Sequence, residues 1–108
     1  MKEKPASTSA AARFTTKRIQ VMIDQKTYAI VNMNVYDMLV AGAPGWIAPR
    51  QKLDFSFVLM LKGKEMVLPT YGAVIRNDGR GLEVRYQQPN RNWRNILLNV
   101  LVEEGGKA

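Results

Sequence analysis

Arg13, Lys17 and Arg18 lie close together in RFTTKR, and Asn32, Asn34 and Asp37 follow in VNMNVYD. Guanidinium groups fork onto phosphates and stack on flat rings, whereas lysine supplies charge without the planar fork. Asparagine side chains both donate and accept, and a carboxylate accepts from neighbouring N–H groups. The second cluster is unusual where it stands. Strands disfavour Asn and Asp, yet Val31 to Gly42 starts and finishes with strand-like residues. Both residue types also build turns by bonding their own backbone. The spacing reads either as a turn or as a site.

Composition narrows the chemistry. The 108 residues include no cysteine and no histidine. A thiolate nucleophile, a disulfide and a zinc–cysteine site are therefore absent, together with the usual general base near neutral pH. Glu103–Glu104 is the only close carboxylate pair, and it reads as solvated. Neither a catalytic residue nor a metal site is expected, so the chain is not read as an enzyme. The net charge of +7 fits either solubility or an anionic partner. No apolar run is long enough to span a bilayer. MKEKPASTSAAAR lacks the apolar core of a signal peptide. Membrane insertion is not expected, and a cytoplasmic protein is.

The elements that must position these residues are mostly strands. Residues 1–12 read as a flexible tail, small, polar and alanine-rich. RIQVMID, TYAIVNM, MLVAG, LDFSFVLML, EMVLPTYGAVIRN and GLEVRYQ read as six strands. Turns are expected at Asp24-Gln25-Lys26, Lys62-Gly63-Lys64 and Asp78-Gly79, and Pro69 and Gly72 mark an edge or a bulge. APGWIAPRQK is a loop, with Trp46 either its anchor on the barrel or a stacking surface. Trp93, Ile96, Leu97, Val100 and Leu101 then fall on one face of a helix capped by Asn90 and ended by Gly105-Gly106. The fold expected is mainly β: a small six-stranded antiparallel β-barrel with a C-terminal α-helix over residues 13–104, and a short tail at 105–108. Closure removes the exposed edges that a small sheet must otherwise protect.

Several of these residues resemble the PilZ family, bacterial receptor domains for cyclic di-GMP. That family carries RxxxR before its first strand and D/N-x-S-x-x-G between its second and third. It also has a G-x-V-x-R strand and a G-L-x-V-x-F/Y strand. Here Arg13 is followed by Lys17 and Arg18, and the turn reads Asn32-Met33-Asn34-Val35-Tyr36-Asp37. The later strands read Gly72-Ala73-Val74-Ile75-Arg76 and Gly81-Leu82-Glu83-Val84-Arg85-Tyr86. The resemblance runs from Arg13 to Leu101. It implies a PilZ-like barrel that binds cyclic di-GMP through Arg13, Lys17, Arg18, Asn32, Asn34 and Asp37, with Arg76, Arg85 and Tyr36 as further candidates.

Three departures stand out within that implied site. Lys17 lacks the fork. Arg18 has it but is one residue out of step, which reverses its face if the backbone is extended. Asp37 replaces a glycine and repels phosphate, although a carboxylate can accept from guanine N1–H and N2–H2. Two readings follow. One is a receptor that needs no cofactor and passes the ligand's arrival to a protein partner of pilus, flagellar or exopolysaccharide machinery, by ordering of the N-terminal arm. The other is a degenerate adaptor, indifferent to the nucleotide, that acts through protein contacts. Nucleic-acid binding is the least expected, since no aromatic-rich strand offers a stacking platform.

Overall fold

A computed structural model describes residues 12–87 and 90–106. The strands are β1 (Ile19–Ile23), β2 (Lys26–Met33), β3 (Asp37–Val40), β4 (Lys52–Leu61), β5 (Lys64–Asp78) and β6 (Gly81–Tyr86). The helix α1 spans Arg91–Glu104. All strand pairs are antiparallel and close into a barrel in the order β1-β2-β3-β6-β5-β4, as expected from the sequence. The tail read over residues 1–12 lies, apart from Ala12, outside the described residues, as do Pro89 and residues 107–108.

Period-two alternation drives closure. Ile19, Val21 and Ile23 of β1, Leu53, Phe55, Phe57 and Leu59 of β4, and Leu82, Val84 and Tyr86 of β6 all point inward and are buried. Phe57 and Tyr86 meet edge-on, ring centroids 4.9 Å apart. Leu97, Val100 and Leu101 of α1 join the same core. Asn90 caps the helix by accepting from Trp93 N, and Gly105 closes it in a left-handed conformation. No helix among the described residues is long and apolar enough to cross a membrane.

Two hairpins use paired left-handed residues, Asp24-Gln25 and Lys62-Gly63, the geometry that matches strand twist. In the third, Gly79-Arg80 joins Asp78 to Gly81, and Asp78 accepts from Arg80 N at 2.9 Å. Pro69 lies where β5 pairs only with β4, because β6 joins β5 from Gly72 onward. At Gly72 the strands crowd together: a Cβ there would stand 2.5 Å from the Arg85 carbonyl oxygen and 2.9 Å from Tyr86 Cα.

The barrel has two bulges where alternation predicts none. β2 shifts register against β3 between Ile30 and Asn32. β5 shifts against β6 between Val74 and Arg76, not at Gly72. Ile30 and Val74 point inward, so strict alternation would turn Asn32 and Arg76 inward too. Each bulge adds one residue and returns them to the outer face.

Candidate ligand-binding site

The bulges and the register place Asn32, Leu39, Glu83 and Arg76 in one row across β2, β3, β6 and β5. The adjacent row is Asp37, Arg85, Ala73 and Lys52 across β3, β6, β5 and β4. The first row and half of the second line a cleft of about 370 Å³ on the outside of the barrel, with Arg13 and Ile75 completing its walls.

Arg13 reaches this cleft from the arm. Phe14 exchanges two backbone hydrogen bonds with Met33, 2.8 and 2.9 Å, which lays the arm along the end of β2. The Arg13 Nε then donates to Asn32 Oδ1 at 2.6 Å, and both terminal nitrogens approach Glu83 Oε2 at 3.3 Å. Arg76 faces the other oxygen of Glu83 at 3.8 Å. Its Nε is buried without a hydrogen-bond partner among the described residues, with Asp78 Oδ2 3.6 Å away. Arg85 Nε donates to Asp37 Oδ1 at 3.2 Å. Three guanidinium groups thus face three carboxylates, Glu83, Asp37 and Asp78. The contacts to Glu83 are longer than the 2.7–2.9 Å typical of a tight N⁺–H···O⁻ bond.

The other expected site residues have different tasks. Asn34 is buried, and its Oδ1 accepts from Tyr36 N at 2.7 Å and Asp37 N at 2.8 Å. The stretch Val31 to Gly42 is therefore strand, turn and strand, with Asn34 building the turn. Asp37 is the first residue of β3, not part of the turn, and is not left-handed. Its side chain is buried and faces the cleft beside Arg85. Tyr36 is exposed at the turn but does not line the cleft.

Lys17 and Arg18 do not join Arg13. Arg18 pairs with Glu103 at 2.9 Å and donates to the Met60 carbonyl. Glu104 accepts from the backbone N–H groups of Lys17 and Arg18, at 2.8 and 3.3 Å, and from the Thr16 hydroxyl. Glu103 is exposed, as expected of the acidic pair, whereas Glu104 is half-buried and forms a clasp that ties the arm to the end of α1, seconded by the bond from Thr15 N to Gly106 O at 2.9 Å. Trp46 is 61% exposed while Ile47 is 1% exposed, so Ile47 anchors the loop. Asn77 secures it by donating to the Pro44 and Ile47 carbonyls.

Glu83 was not anticipated as a site residue. Its signal was present in GLEVRY, where Glu83 and Arg85 alternate with three inward residues and must share the outer face.

Beneath the cleft, the Tyr86 hydroxyl donates to the Asn34 carbonyl at 2.6 Å. Burial pushes this phenol far above its ordinary 10.0, and the Asp37 carboxylate pushes it the same way against Arg13. The folded state therefore keeps a proton that the unfolded chain gives up near pH 10. The stability this contributes is complete below pH 10 and is lost as pH rises beyond it. Tyr86→Phe should cost about 1–2 kcal/mol at neutral pH. It should also flatten the alkaline fall, which melting curves between pH 7 and 11.5 would read.

No family model and no curated protein matches the chain. Among solved structures, the chain is similar to the crystal structure of an uncharacterized Legionella protein. The TM-score is 0.57 at 18% identity, over 86% of this chain and 92% of that one. The likeness shows a shared fold.

Proposed function

We propose that this chain is a non-catalytic binding module of PilZ type whose outer-face cleft takes cyclic di-GMP. One observation carries the reading. Arg13, Arg76 and Arg85 come from the arm and two strands to a single cleft, where Glu83 holds two of them at 3.3–3.8 Å. Glu83 acts as a loose stand-in for a phosphate. A phosphate offers more acceptor oxygens at shorter range, so Arg13 and Arg76 exchange Glu83 for it. Asn32 stands beside them to meet a guanine edge. Arg13 sits on the arm, so the exchange re-sets the arm, and a protein partner of pilus, flagellar or exopolysaccharide machinery reads that change in the cytoplasm.

A second reading, the adaptor without nucleotide, is favoured by the diversion of Lys17 and Arg18 to the end of α1 and by the two carboxylates in the cleft. Calorimetric titration with cyclic di-GMP, against GTP as control, separates the two. Saturable and selective binding is expected. No heat from a chain shown to be folded would establish the adaptor.

A further inference from the structure

Beside the first cleft lies a second, of about 260 Å³, which includes Arg50, Lys52, Tyr71, Ala73, Arg85 and Gln87. Among the described residues, no carboxylate lines it. We propose that it is a second nucleotide site, sharing Arg85 with the first cleft, with the phosphate over Ala73 and the base on Tyr71. The proposal does not rest on the cyclic di-GMP reading.

The register builds the trough. Lys52, Ala73 and Arg85 occupy one row of the outer face across β4, β5 and β6. Neighbouring strands are roughly 4.8 Å apart, so the Cα atoms of Lys52 and Arg85 stand roughly 10 Å apart. Ala73 is the smallest chiral side chain and leaves open space between two long cations. Arg50 closes the end. Its backbone is left-handed, φ 71°, and is held there by donation to the Val74 carbonyl at 2.8 Å. Among the described residues, no carboxylate pairs with the side chain of Arg50 or Lys52. Arg85, which the two clefts share, pairs with Asp37, and in the first cleft Arg13 pairs with Glu83.

The ring end is built in the next row. Tyr71 is 47% exposed, and the Lys52 ammonium lies 4.7 Å from its ring centroid. The cation covers part of the ring and leaves the rest for a flat base to stack on. Gln87 is exposed and fixed by its backbone bond to the Tyr71 carbonyl at 2.8 Å. Its amide can donate and accept along a purine edge. Asp54, opposite Tyr71 in the register, restricts phosphate to the Ala73 end by repulsion.

The test uses the full chain carrying Arg13→Ala, which disables the first cleft and leaves the second whole. Titration of the ¹⁵N-labelled protein with GMP should shift the amides of Arg50, Lys52, Tyr71 and Ala73 saturably. GMP should bind about tenfold tighter than inorganic phosphate. Adding Arg50→Ala and Lys52→Ala, both at exposed positions, should weaken GMP about a hundredfold. Ala73→Glu, also exposed, should abolish binding. Equal affinity for GMP and inorganic phosphate would overturn the nucleotide assignment. Absence of saturable shifts, or an affinity unchanged by the double substitution, would overturn the site itself.

Discussion

Gly72→Val should leave the barrel unable to close, at a cost of more than about 3 kcal/mol. Gly72 is where β5 passes from its pairing with β4 alone to pairing with β6 as well. A Cβ there meets the Arg85 carbonyl oxygen at 2.5 Å, Val84 Cγ1 at 2.8 Å and Tyr86 Cα at 2.9 Å. Two of these three atoms are backbone, so no rotamer change relieves the contact. Relief requires β5 and β6 to part. That breaks the pairs from Gly72 to Asp78 and opens the core beside Tyr86. Domains of this size are stable by about 5–15 kcal/mol, so the loss is a large share of the total. Urea unfolding should show the midpoint displaced far below that of the parent. Valine at the exposed Ala73, one residue on, should move it little, and that contrast separates crowding at Gly72 from any general intolerance of β5.

Arg13→Ala should weaken cyclic di-GMP binding more than a hundredfold, while Arg18→Ala leaves it within about twofold. The loss follows from two charge-assisted bonds to phosphate, worth about 3–4 kcal/mol together, with a tenfold change for each 1.4 kcal/mol. Sequence alone gives Arg18 equal standing, since it has the same fork and lies near the expected position. The structure assigns it to Glu103 and the Met60 carbonyl, at the end of α1. Arg13→Lys keeps the charge and loses the fork, so it should fall between the two. Calorimetry on the three variants, each checked for an unchanged melting curve, reads the effect. Equal losses for Arg13→Ala and Arg18→Ala would place the ligand away from the cleft.

The barrel was legible because its signals are local and regular. Alternation in RIQVMID, LDFSFVLML and GLEVRYQ marks inward faces, and the change to a helical stripe after Asn90 marks α1. The site was legible only in part, for reasons that alternation cannot carry. Bulges beside Asn32 and Arg76 return those residues to the outer face, and nothing in the local composition announces an inserted residue. Lys17 lies at the expected distance from Arg13 and Arg18 one residue beyond it, but their partners Glu103 and Glu104 come from the far end of the chain. Glu104 looked solvated, like its exposed neighbour Glu103, because a sequence shows charge and not what docks against it. Asp37 was read as a turn residue since Asn32, Asn34 and Asp37 share one polar run. The turn ends one residue sooner, and Asp37 enters β3 opposite Arg85.

The most direct measurement follows the arginine side-chain Nε–H signals of ¹⁵N-labelled protein during titration with cyclic di-GMP. The Nε–H groups of Arg13, Arg76 and Arg85 should move together and saturate, Arg76 most of all since its Nε has no hydrogen-bond partner in the described structure. The Arg18 signal should stay where it is. Saturable binding that leaves Arg13 and Arg76 unmoved, or no response at any arginine, would contradict a cleft in which Glu83 stands in for phosphate.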